Sequence, residues 1–127
     1  MSAWAVAACA AGGAGALARY VCDGLARARV TTRLPVATIV INVAGSGLLG
    51  LLTGLVLFGG APSALTLVAG TGFCGGFTTF STASFETVAL ARRGDGGRAL
   101  INAIGTWVAA VAACGAGMWI AWLIRGQ

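Results

Sequence analysis

The sequence contains no histidine and no lysine, and only three of its 127 residues are acidic. Charged residues make up 9% of the chain and hydrophobic residues 58%, with a mean hydropathy of +0.93. This composition is too apolar for a water-soluble domain of the same size, so it indicates a small integral membrane protein. The four cysteines have neither paired nor metal-ligand spacing, and no histidine can join them. We interpret them as small buried thiols.

Long stretches without charge predict the number of membrane crossings. No charged residue occurs from Leu34 to Phe85, which is enough for two helices of about 20 residues and a turn. Ala99 to Ile124 is also uncharged, and Ser2 to Cys22 contains only Arg19. The N-terminal run lacks the basic start of a signal peptide, so we expect it to remain in the mature protein. The sequence therefore predicts an all-α protein with four transmembrane helices in a single domain, residues 1–127.

The basic residues indicate topology and not a nucleic-acid surface. All eight are arginine, and most lie in or beside the first and third loops. These are Arg27, Arg29, Arg33, Arg92, Arg93 and Arg98. Because positive charge stays inside, loops one and three are predicted to be cytoplasmic and both termini to lie outside the plasma membrane. The charge bias implies a single orientation in the bilayer and no nucleic-acid partner.

The stretch from Gly72 to Glu86 interrupts an apolar segment with glycines and hydroxyls. Gly72, Gly75 and Gly76 lie within five residues, which predicts a third helix broken in mid-membrane. Backbone groups freed by such a break need protein, water or an ion as partners, and the carbonyls could hold a cation. Glu86 is a functional candidate because carboxylates are rare in apolar segments. It is interpreted as a proton or cation carrier, as an interfacial carboxylate or as a carboxylate hydrogen-bonded to the facing hydroxyls.

Polar side chains also mark the other helices. Asn42 shares a stripe with hydroxyls of the second helix, and it either bonds a neighbouring helix or faces a water-filled path, the second being favoured. Asn102 and Thr106, four apart on the last helix, form another polar strip. Arg19 is interpreted as a snorkelling interfacial anchor or as a fixed positive charge near a pore mouth.

Three motifs in order resemble the Fluc (CrcB-type) fluoride channel family. They are GGAGALARY at Gly12–Tyr20, NVAGS at Asn42–Ser46 following Pro35, and GFCGGFTTFST at Gly72–Thr82 followed by Glu86. The resemblance implies antiparallel dimers around two narrow pores, with a structural sodium ion at the dimer centre. It also implies passive export of cytoplasmic fluoride, which reduces fluoride toxicity, and no enzymatic activity.

The same resemblance implies a role for individual residues. The main-chain carbonyls of Gly75 and Thr78 would bind sodium, and Asn42 and the ring edge of Phe80 would contact fluoride. The remaining implied pore residues are Ser81 and Thr82 beside the path, Asn102 and Thr106 along a polar track, Glu86 at the other end of that track, and Arg19 near a vestibule.

One position departs from the family motif. The family usually carries a second phenylalanine three residues after the first, where this chain has Ala83. Phe85 does not replace it, because two residues correspond to about 200° around a helix. Together with the single predicted orientation, the missing ring predicts an antiparallel dimer with an oppositely oriented homologous subunit. A homodimer is the alternative.

Two other classes are compatible with a small four-helix chain. A small multidrug-resistance-type cation/proton antiporter depends on a carboxylate in the first helix, and the predicted helix Ser2–Cys22 has none. A purely structural subunit would explain the glycines but not the predicted break and polar stripes.

Overall fold

A computed structural model describes residues 2–125, which form only helices and their connections. The helices are α1 (Ala3–Arg29), α2 (Val36–Gly59), α3 (residues 63–77), α4 (Phe80–Arg92) and α5 (Gly96–Arg125). Helices α1, α2 and α5 are long and apolar enough to cross a membrane. Helices α3 and α4 together take the place of the predicted third helix. The predicted all-helical membrane class is therefore confirmed.

Helix α1 is longer than the sequence predicted. It begins after Ser2, whose Oγ accepts a hydrogen bond from the Ala5 N–H (3.3 Å), and it continues to Arg29. The prediction that the first helix has no carboxylate is wrong, because Asp23 lies within it. Two of the four cysteines, Cys9 and Cys22, are exposed on α1, so the prediction of buried thiols is wrong for them.

Glycines allow α2 and α5 to pack closely. A Cβ added at Gly50 would overlap the Cys114 carbonyl, and one at Gly54 would come within 2.6 Å of the Ala121 Cβ. A Cβ at Gly117 would overlap the carbonyl oxygen of Gly47. Small residues at these positions let two helices touch through their backbones. The glycines of these two helices therefore serve helix packing at these positions.

The glycines of α3 have the same effect against α1. An added Cβ at Gly72 would lie 2.6 Å from the Ala8 carbonyl oxygen, and one at Gly76 would overlap the carbonyl of Gly12. The helix passes through them, with a π-helical stretch over Thr66–Cys74. The chain leaves the helix only at Thr78 and Thr79, whose backbones are extended. The break therefore follows the glycine cluster, which serves the packing of α3 on α1.

Candidate functional site

Asn42 of α2 binds the backbone at the break between α3 and α4. Its Nδ2 donates to the Thr79 carbonyl (2.9 Å), and its Oδ1 accepts from the Thr79 N–H (2.8 Å). Both main-chain groups of Thr79 thus obtain partners in an apolar segment, where unpaired groups are costly. The amide retains one further N–H, and Asn42 lines a large groove. The interhelical bond considered from the sequence is therefore observed, and it leaves a donor for the groove.

The Thr79 side chain caps α4. Its Oγ1 accepts from the Thr82 N–H (3.2 Å), donates to the Thr82 hydroxyl (3.1 Å) and lies 3.4 Å from the Ser81 Oγ. Threonine is a common N-cap because its side chain satisfies an otherwise unpaired N–H of the first turn. Thr79 was not among the site residues predicted from the sequence. The signal for this cap is a threonine immediately before a helical segment.

A groove of about 780 Å³ collects most of the predicted site residues. Its lining includes Asn42, Gly75, Thr78, Phe80, Asn102 and Thr106, together with Ala83. The Phe80 side chain is 88% exposed beside it. Four other predicted site residues, Ser81, Thr82, Glu86 and Arg19, do not line this groove.

Asn102 and Thr106 lie at the buried edge of the groove; Asn102 belongs to the π-helical turn Ile101–Gly105, and Thr106 follows it. They are 1% and 7% exposed, respectively. Asn102 Nδ2 donates to the Ala83 carbonyl (3.1 Å) and to the Thr87 hydroxyl (2.8 Å). Within residues 2–125, Asn102 Oδ1 and Thr106 Oγ1 are buried without a hydrogen-bond partner. Such atoms are expected to bind water or a polar group that enters the groove.

A smaller cavity of about 100 Å³ lies between α1, α2 and the start of α4. It brings together Arg19 and Thr82, two of the predicted site residues, with Thr38, Thr79 and Asp23. Thr79 lines both the groove and this smaller cavity. The cavity combines the Arg19 cation and the Asp23 carboxylate with the hydroxyl groups of three threonines and of Tyr20, so its lining is polar and its two charges balance.

Glu86 forms an ion pair that the sequence analysis did not predict. Its Oε1 lies 2.8 Å from Arg27 Nη2, and Arg27 Nε lies 2.8 Å from Asp23 Oδ2. The hydrogen bond to Glu86 comes from Arg27 and not from the facing hydroxyls considered from the sequence, and the Glu86 Oε2 has no partner within residues 2–125. The signal missed in the sequence is the spacing of four between Arg19, Asp23 and Arg27, which places alternating charges on one face of α1.

The oxygens of Gly75 and Thr78 are suitable for a cation. The Thr79 N–H, which a continuing α-helix would direct to the Gly75 carbonyl, donates to Asn42 instead. Thr78 has an extended backbone, so its carbonyl lies outside the regular helix. Gly75 is exposed to the groove, and a Cβ there would meet nothing within 4 Å. Hard monovalent cations prefer such carbonyl oxygens, so the residues present fit a sodium ion.

Comparison with known proteins identifies the family. A family described as CrcB-like protein, Camphor Resistance (CrcB), matches residues 6–118. The chain belongs to the CrcB family. This confirms the resemblance stated from the motifs. CrcB relatives include "Fluoride-specific ion channel FluC 1" of Leifsonia xyli subsp. xyli, which is 47% identical over 87% of this chain and 80% of that protein.

Two further relatives carry similar names. "Fluoride-specific ion channel FluC 1" of Streptomyces avermitilis is 45% identical over 84% of this chain and 86% of that protein. "Fluoride-specific ion channel FluC 2" of Moorella thermoacetica is 39% identical over 98% of both chains. The CrcB similarity thus extends along all helices of this multi-pass membrane protein.

Proposed function

We propose that this protein is a fluoride-selective channel subunit that lets cytoplasmic fluoride leave the cell passively and so reduces its toxicity. The observation that carries the proposal is the convergence of Asn42, Phe80 and Asn102 on one groove. Relatives of 39–47% identity named fluoride-specific ion channels support the choice of ion. The channel needs no catalytic step, so the protein is not proposed to be an enzyme.

Selectivity for fluoride follows from the kind of donors available. Fluoride is small and strongly hydrated, so a pore must replace its water with N–H and O–H groups. The remaining N–H of Asn42 and the hydroxyl of Thr106 provide such donors in the groove, and the hydroxyls of Ser81 and Thr82 lie outside it. Phe80 adds the positive edge of its ring, which attracts an anion without a full charge. A narrow path lined this way would exclude larger halides.

A sodium ion is proposed at the main-chain oxygens of Gly75 and Thr78. When bound, it would supply a fixed positive charge beside the groove and hold the break in place. The break is proposed to lie within the membrane, where its freed carbonyls need such a partner. The two residues of this chain provide only part of a coordination shell, so a second subunit would complete it.

The groove is open along one side of the chain, and an antiparallel dimer would close it. Ala83 lines the groove, where it presents no aromatic ring. The proposed partner is an oppositely oriented homologous subunit that supplies the inverted half and an intact second ring. The arginines near loops one and three support one orientation for this chain, with those loops cytoplasmic and the termini outside.

The experiment is fluoride efflux from liposomes that contain this chain alone, or this chain with a homologous subunit of opposite charge bias. We expect fluoride efflux with the partner, little without it, and no chloride efflux. Chloride flux equal to fluoride flux would refute the selectivity. Robust fluoride flux from the chain alone would retain the channel and exclude the need for a partner.

The ion pairing of the carboxylates does not favour the antiporter alternative. Asp23 and Glu86 are paired with Arg27, and Asp95 is paired with Arg98. These are the three acidic residues of the sequence, so each already has a cationic partner. Proton-coupled cation transport that is lost in Glu86→Gln, without any fluoride flux, would reverse this conclusion.

A further inference from the structure

Arg27 connects the C-terminal end of α1 to α4 through Glu86. The Glu86 side chain is only 14% exposed, whereas that of Arg27 is 50% exposed. The second carboxylate oxygen, Oε2, is buried and has no hydrogen-bond partner within residues 2–125. Arg27 is therefore the cation that balances a mostly buried negative charge. A buried charge that loses its partner is costly and strongly affects other charges nearby.

The ion pair continues the wall of the smaller cavity. Arg19 and Asp23 line that cavity from α1, and Arg27 follows four residues later on the same face. Thr82 lines it from α4, and Glu86 likewise follows four residues later. Along this wall, the positive charges of two arginines are matched by the negative charges of two carboxylates. Without Arg27, the wall would have a net negative charge.

We infer that Arg27 is a positioning residue for anion permeation. It holds and neutralises Glu86, so that fluoride can move past the charged side chains between α1 and α4. This inference rests on the proposed channel function and assigns a role to a residue that the pore motif does not contain. An unpaired carboxylate about 8 Å from the ion, at an effective dielectric constant of about 20, would lower the local occupancy of an anion about 30-fold. Arg27 removes this barrier.

The test compares fluoride efflux from liposomes in the assembly that conducts. Arg27→Gln is expected to lower efflux at least about tenfold, since it leaves Glu86 unpaired. Arg27→Gln/Glu86→Gln is expected to restore efflux relative to R27Q, because it removes the unpaired carboxylate. If the bridge served only stability, R27Q that is recovered folded and reconstituted in equal amount would conduct fluoride like the wild type. Efflux from R27Q equal to wild type, or no recovery in the double variant, would overturn the inference.

Arg29→Gln is the matched control. Arg29 is exposed at the same helix end and forms no salt bridge within residues 2–125, so its loss removes the same charge but leaves Glu86 paired. It is expected to retain wild-type efflux, and a loss equal to that of R27Q would refute a specific role for Arg27. If R27Q is not recovered as folded protein, the double variant is compared directly with R29Q, and equal efflux supports the inference while lower efflux overturns it. Absence of wild-type efflux in every assembly would instead refute the proposed function.

Discussion

Replacing Asn42 by alanine tests the bond between α2 and the break in depth. The substitution removes both hydrogen bonds to Thr79, whose N–H and carbonyl then lie in a buried segment without partners. Each unsatisfied group costs about 1–3 kcal/mol, and water from the adjacent groove compensates part of this loss. We therefore expect the free energy of unfolding to fall by about 2–4 kcal/mol. Fluoride efflux is also expected to be lost, because the remaining amide N–H disappears with the side chain.

Equilibrium unfolding in mixed SDS micelles measures the stability of the Asn42→Ala variant. Ser46→Ala is the matched control, because Ser46 lies one turn further along α2, lines the same groove and forms no side-chain hydrogen bond among the contacts of residues 2–125. It should unfold like the wild type. If N42A and S46A unfold at the same denaturant fraction, the two bonds to Thr79 do not stabilise the break and the reasoning is refuted.

Two further predictions concern packing and pH. Gly50→Ala should destabilise the protein by about 1–3 kcal/mol, because its Cβ would overlap the Cys114 carbonyl. Gly13→Ala should stabilise it by about 0.5–1 kcal/mol, because a Cβ there meets nothing within 4 Å. Equal unfolding of the two variants in SDS would contradict this. The hydrogen bond from Arg98 holds the pKa of Asp95 below its usual value. The stabilisation of the folded protein by this ion pair is therefore present above the unfolded-state pKa and is lost as the pH falls through the lower folded-state pKa. Unfolding curves measured between neutral and acidic pH should show this loss in the wild type and not in Asp95→Asn, which retains an N-cap side chain.

The helices and the membrane class could be predicted because they depend on local charge and hydropathy. Uncharged stretches located α2 and α5 well, and the hydroxyls and glycines indicated a break near the right place. The end of α1 was missed because Asp23 and Arg27 neutralise each other along the helix, so charge did not end it. The intrinsic tendency of a residue to end a helix is weak compared with such contacts.

The exact position of the break and the partners of the site residues could not be predicted, since they depend on contacts distant in sequence. Gly72 and Gly76 remain helical because their missing side chains admit the backbone of α1. Asn42 finds its partner at Thr79, and Glu86 finds Arg27, across long sequence separations. A single sequence shows that these polar groups need partners but not which ones they have.

The bonds from Asn42 to Thr79 involve only main-chain atoms of the second residue, and this has a consequence for register. Any residue other than proline at position 79 offers the same N–H and carbonyl, so the pairing depends on the position of the residue in the chain and not on its side chain. An insertion of one residue between Thr79 and Phe80 would turn every later side chain of α4 by about 100° relative to α2. The same insertion in the connection at residues 93–95 would leave Phe80 and Ala83 in place. Alignments of homologous chains should therefore tolerate length changes after α4 but none across this junction.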